Sequence, residues 1–174
     1  MTEFKIGREV YYDTAGKLLE DSNIFYVYCK TPTIFMSSQR VHEEQRRFHK
    51  KFFTELKRDI DIRYVFSLPY VEEDILNVAK KDKREALSIL KEWKDVSKSS
   101  RIKLKFIEEK NPFSFLVYDK KTVFLAVYPN NKRGIIIFDN KEVPFFREFF
   151  EQIFRKASDN NERAIEKIRK YIKI

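Results

Sequence analysis

Apolar residues recur along this chain in two alternating rhythms. From Arg8 to Glu20, Val10, Tyr11, Thr14, Leu18 and Leu19 share one face at helical spacing, which predicts an amphipathic helix. Gly16 inside it costs some helicity and marks a close approach. Asp21, Ser22 and Asn23 end the helix, and Ile24 to Cys29 is then a continuous apolar run rich in β-formers. That pattern suits a strand covered on both faces. Lys30 to Gln39 reads as a loop. Helical spacing returns from Val41 to Arg58, with Val41, Gln45, Phe48, Phe52 and Leu56 on one side. Ile62 to Ser67 predicts a second strand, closed by Pro69. Glu72–Ala79 and Asp82–Val96 predict helices, the latter with Ala86, Ile89, Leu90 and Trp93 facing inward.

The second half changes rhythm. Residues 101–106 alternate strictly, as a half-exposed strand does. Phe113–Tyr118 and Thr122–Tyr128 are apolar runs separated by Asp119, Lys120 and Lys121, which predicts a hairpin. A turn follows from Pro129 to Gly134, with Gly134 expected to supply a positive φ. Ile135–Phe138 predicts another strand. Asp139 with Glu142 resembles a capping box, and Val143 to Ala157 carries the strongest amphipathic pattern in the chain. Ser158 to Asn161 breaks it before a last helix from Glu162. Together these elements predict one α/β domain over residues 1–174. Its expected sheet is mixed and partly antiparallel, with helices on both faces.

Composition narrows what such a domain does. With 43% hydrophobic residues, 17 Phe and 9 Tyr, the chain can bury a real core. The single cysteine, Cys29, excludes an internal disulfide and reads as a small buried hydrophobe. No apolar run approaches the ~20 residues that span a bilayer, and no leader pattern opens the chain. Both point to a cytoplasmic protein without a transmembrane segment. The net charge of +9 favours an anionic partner.

Candidate chemistry is sparse. The glycines Gly7, Gly16 and Gly134 form no phosphate-binding loop. His42 and His49 are two helical turns apart, about 10 Å, too far to share one metal ion comfortably, and read as a solvated helix face. No nucleophile stands beside a base and an orienting group. Catalytic residues, metal ligands and cofactors are therefore all expected to be absent. Basic clusters remain: Arg40, Arg46, Arg47, Lys50 and Lys51; then Lys80, Lys81, Lys83 and Arg84; then Arg163, Lys167 and Lys170. Each could meet phosphates, and each is interleaved with acids.

The hairpin around Asp119, from Asn111 to Val127, followed by Gly134 to Ile137 and the Phe-rich helix ending at Ala157, resembles the end of a phospholipase D-like domain. Catalytic members of that family carry His-x-Lys followed, after four intervening residues, by an Asp. Aligned on Asp119, the His position is Pro112 and the Lys position is Ser114. The resemblance thus implies the fold with a degenerate active site, and leaves Asp119 as a structural turn residue. It implies a non-catalytic ligand-sensing or protein-interaction domain, of the regulatory, transcription-associated kind. In α/β sheets ligands sit at the carboxyl ends of strands, which nominates Lys30, Thr31, Ser67 and Ser114 for an unknown small ligand. The alternative is a nucleic-acid- or anionic phospholipid-binding protein using Arg46, Arg47, Lys50 and Lys51. For that helix only weak, sequence-independent binding is expected, because Glu43, Glu44 and Glu55 dilute its field. A protein partner and a homodimer stay open.

Overall fold

A computed structural model describes residues 3–35, 42–111, 113–127 and 133–173. The strands are β1 (Glu3–Ile6), β2 (Ile24–Cys29), β3 (Asp61–Ser67), β4 (Ile102–Ile107), β5 (Ser114–Val117), β6 (Thr122–Val127) and β7 (Arg133–Phe138). The helices are α1 (Arg8–Glu20), α2 (Glu43–Glu55), α3 (Leu68–Ala79), α4 (Lys83–Ser97), α5 (Val143–Lys156) and α6 (Asn161–Lys173). One seven-stranded sheet runs in the order β1-β7-β6-β5-β2-β3-β4. Pairing is parallel from β2 through β3 to β4 and antiparallel elsewhere. The expected mixed sheet, parallel early and antiparallel late, is what the chain forms.

β2 is central, and its unbroken apolar run follows from that position. Phe25 and Val27 face one core, with buried residues of α1, α2, α3, α4 and α6. Ile24, Tyr26 and Tyr28 face the other, beneath α5 with Phe150 and Ala157. Helices therefore cover both faces. β4 alternates as its sequence does, Ile102, Leu104 and Phe106 inward and Lys103 exposed. Its free edge is blunted at one point: Phe106 and Ser158 exchange backbone hydrogen bonds of 2.9 and 2.8 Å.

The hairpin forms as expected, with Val117 opposite Thr122. Asp119 holds it to the rest of the sheet. Its carboxylate accepts from the backbone N–H of Asn23 (2.8 Å) and of Ile24 (3.1 Å), and from the Asn23 side chain (3.1 Å). Replacing Asp119 with alanine leaves those donors to water and unlatches the hairpin from β2. We expect a loss of about 1–2 kcal/mol, held down by partial exposure. Urea denaturation reads it directly, and an unchanged midpoint would remove the latch from the account.

β1 was not foreseen, because four residues beside the first helix carry too little pattern. α3 begins at Leu68, before the predicted Glu72; Pro69 sits in its first turn, where its missing N–H is harmless. Gly134 is paired inside β7, and the positive φ belongs to Gly7 at 126°. The α5 N-cap is Glu142 without a side-chain cap, because Asp139 turns to Lys121 instead. Gly16 does mark a close approach: a Cβ there would meet the Lys51 side chain at 3.3 Å, where α1 crosses α2.

His49 also departs from the expected solvated face. It is half-buried beside Phe48, and Nε2 is buried without a hydrogen-bond partner. Desolvation lowers its pKa below the ordinary value. The unfolded chain then binds the proton more readily than the native one. The stability from keeping His49 neutral is full above pH ~6.5 and is lost as pH falls from there through the native value. Wild type should lose more stability than His49→Gln between pH ~7.5 and pH ~5.5 in paired denaturation curves. Parallel losses would show that His49 is not the titrating group.

Candidate nucleic-acid interface

Two of the four basic side chains nominated on α2 are paired by their neighbours. Arg47 pairs with Glu9 (3.3 Å), Asp13 (3.6 Å) and Glu43 (3.3 Å). Lys51 pairs with Glu20 of α1. Arg46 and Lys50 stay exposed without an acidic partner among the described residues. Arg40 lies outside the described residues. Arg47 and Lys51 thus serve to join α2 to α1, and exposed Phe53 beyond its centre is the helix's one large apolar surface residue.

Positive charge accumulates elsewhere. Three helices, α3, α4 and α6, pack together on one side of the sheet. Their relative directions are fixed by specific contacts. The Lys167 ammonium meets Glu72 at 3.1 Å, and Leu68 and Pro69 share a cleft with Arg163 and Ala164, so α6 runs alongside α3. Trp93 Nε1–H donates to Asn161 Oδ1 at 2.9 Å and Lys94 meets Glu162 at 4.0 Å, so α6 runs against α4. At ~1.5 Å rise per residue, the end of α6 reaches the level of the turn between α3 and α4.

That end brings the Lys80–Arg84 cluster together with Lys170, the last member of the third cluster, and with Lys173, while Arg163 and Lys167 lie nearer the start of α6. Lys80, Lys81, Lys83 and Arg84 come from the turn, and Lys170 and Lys173 from α6, all exposed. Lys80 donates to Asn77 at 3.2 Å. The other five side chains have no acidic partner among the described residues. Asp82 is occupied as the α4 N-cap, accepting from the backbone of Arg84 (2.8 Å) and Glu85 (3.2 Å). Exposed Tyr171 stands on α6 beside Lys170. Uncompensated cations next to an exposed ring suit a phosphate backbone with unstacked bases.

The residues nominated for a small ligand do gather at one end of the sheet. Lys30 and Thr31 follow β2, Ser67 ends β3, and Ser114 opens antiparallel β5 at the same end, since Tyr28 lies opposite Phe115. Three of the four side chains contact other parts of the fold. The Ser67 hydroxyl is fully buried and donates to the Glu109 carbonyl at 2.7 Å. Thr31 donates to Asp74 at 2.9 Å. Lys30 and Lys110 approach the Tyr70 ring at 5.3 and 4.9 Å. Pro112 lies outside the described residues. Asp119 sits at the opposite end of β5, by the start of β2, and serves as the hairpin latch. Cys29 is half-buried, and burial pushes its thiol pKa up, which fits a packing role.

No protein-family profile matches this chain, and no curated protein does. Among solved structures it is similar to TrmBL2, described as an archaeal chromatin protein that shows a novel mode of DNA binding. The TM-score is 0.59 at 13% identity, over 91% of this chain and 54% of that one. The chain spans about half the length of the structure it matches, and at this identity the likeness is one of fold.

Proposed function

We propose that this chain is a nucleic-acid-binding module that acts through phosphate contacts from the end formed by α3, α4 and α6. The observation that carries the reading is the convergence of Lys81, Lys83, Arg84, Lys170 and Lys173 without acidic partners. Fold similarity to a protein described as DNA-binding supports it. We infer no base-reading element. Binding is sequence-tolerant, set by charge and by stacking on Tyr171. The same proposal keeps the domain phospholipase D-like and non-catalytic, with Ser114 at the position of the family's phosphate-holding lysine.

Fluorescence anisotropy with a labelled duplex and a labelled single strand tests it. About five phosphate contacts give a log–log salt slope of roughly −4.5 on duplex and a shallower one on single strands. Dissociation constants should fall in the micromolar range near physiological salt, as non-specific contacts allow. A flat salt dependence, or no binding at low salt, would end the reading.

A further inference from the structure

A second site is written into the same helices and is independent of the nucleic-acid reading. Beyond the carboxyl end of β4, the first turns of α3 and α6 enclose a cleft of about 310 Å³. Its size lies at the lower end of the ~300–1,000 Å³ that small-molecule sites occupy. The floor is apolar: Leu68, Phe106 and Ala164 contribute it, each nearly buried. Four charged side chains line the walls, and they divide into two kinds. Lys167 and Glu72 satisfy each other at 3.1 Å. Glu108 and Arg163 do not pair, with each other or with any other described residue, although both line the cleft. Only the backbone of Arg163 is engaged, donating to Asn160.

An exposed carboxylate, an exposed guanidinium and a small apolar floor match the chemistry of a zwitterion with a hydrocarbon arm. We propose that this cleft binds a free α-amino acid with an apolar side chain. Arg163 takes the α-carboxylate through its planar fork. Glu108 accepts from the α-ammonium, and the side chain lies on Leu68 and Phe106. The Lys167–Glu72 pair walls the cleft without adding net charge.

Titration calorimetry with L-leucine, leucinamide and 4-methylpentanoate tests this on the full chain. Leucinamide lacks the carboxylate, and 4-methylpentanoate lacks the ammonium. Leucine should bind with a dissociation constant of ~1 mM or tighter, and each analogue about tenfold more weakly. Arg163→Gln should abolish the preference for leucine over leucinamide, and Glu108→Gln the preference over 4-methylpentanoate. Neither side chain has a partner to lose, so both variants keep the wild-type melting temperature. Saturable leucine binding with this crossed pattern supports the site. No saturable heat up to ~10 mM leucine, equal binding of all three compounds, or variants that retain the wild-type preferences would overturn it.

Discussion

Replacing Asn161 with alanine lowers the unfolding free energy by about 3 kcal/mol, the largest single-residue stability loss expected from a polar side chain in this fold. Asn161 is 6% exposed and stands at the first position of α6. Its amide oxygen accepts from Trp93 Nε1–H at 2.9 Å, and its amide nitrogen donates to the Leu104 carbonyl at 2.8 Å. One side chain thus ties α6 to α4 and to β4. Alanine strands a buried donor and a buried acceptor, each at about 1–3 kcal/mol, and leaves a void against the fully buried Trp93 ring. Asn161→Asp is no rescue, because a carboxylate cannot donate to Leu104. Urea denaturation of Asn161→Ala, Trp93→Phe and the pair separates the terms. A coupling of about 1 kcal/mol or more between the two sites is expected. A loss below about 0.5 kcal/mol for Asn161→Ala would mean that water replaces the network. The same anchor sets the register of α6, and with it both the cleft at one end of that helix and the basic cluster at the other.

Much of the fold was legible because long elements carry strong periods. Ile24 to Cys29 announced a strand buried on both faces, and the helix from Val143 to Lys156 announced its apolar stripe. β1 was illegible because its place depends on pairing with β7, more than a hundred residues away. The turn of Asp139 toward Lys121 was hidden for the same reason, since a local capping pattern competes with a distant ammonium. Asn161 read as a helix breaker from sequence, and nothing local says that its amide is claimed by Trp93. The candidate interface was legible only in pieces. Lys80 to Arg84 and the basic side of the last helix were both visible as clusters. Their convergence was not, because it follows from the directions of α3, α4 and α6. Arg46, Arg47, Lys50 and Lys51 are dense along α2 in sequence, whereas the acids that pair with Arg47 and Lys51 come mainly from α1.

That contrast supplies the second large effect. Reversing Lys81, Lys83 and Arg84 to glutamate should cut affinity for a duplex at ~0.1 M salt by at least about thirtyfold, and should reduce the salt slope by about three. Reversing Arg46 and Lys50 should change affinity only a few-fold, through long-range field alone, because no phosphate is held there. All five positions are exposed, and none of these side chains holds an ion pair that the fold needs. Both variants should therefore unfold at the wild-type denaturant midpoint. The direct measurement is the anisotropy titration of wild type and the two reversed variants on one labelled duplex, across a salt series. The account predicts steep salt dependence in wild type, a slope cut by more than half by reversal at the α3–α4 turn, and a slope retained after reversal on α2. Binding that survives the turn variant and collapses in the α2 variant would contradict it.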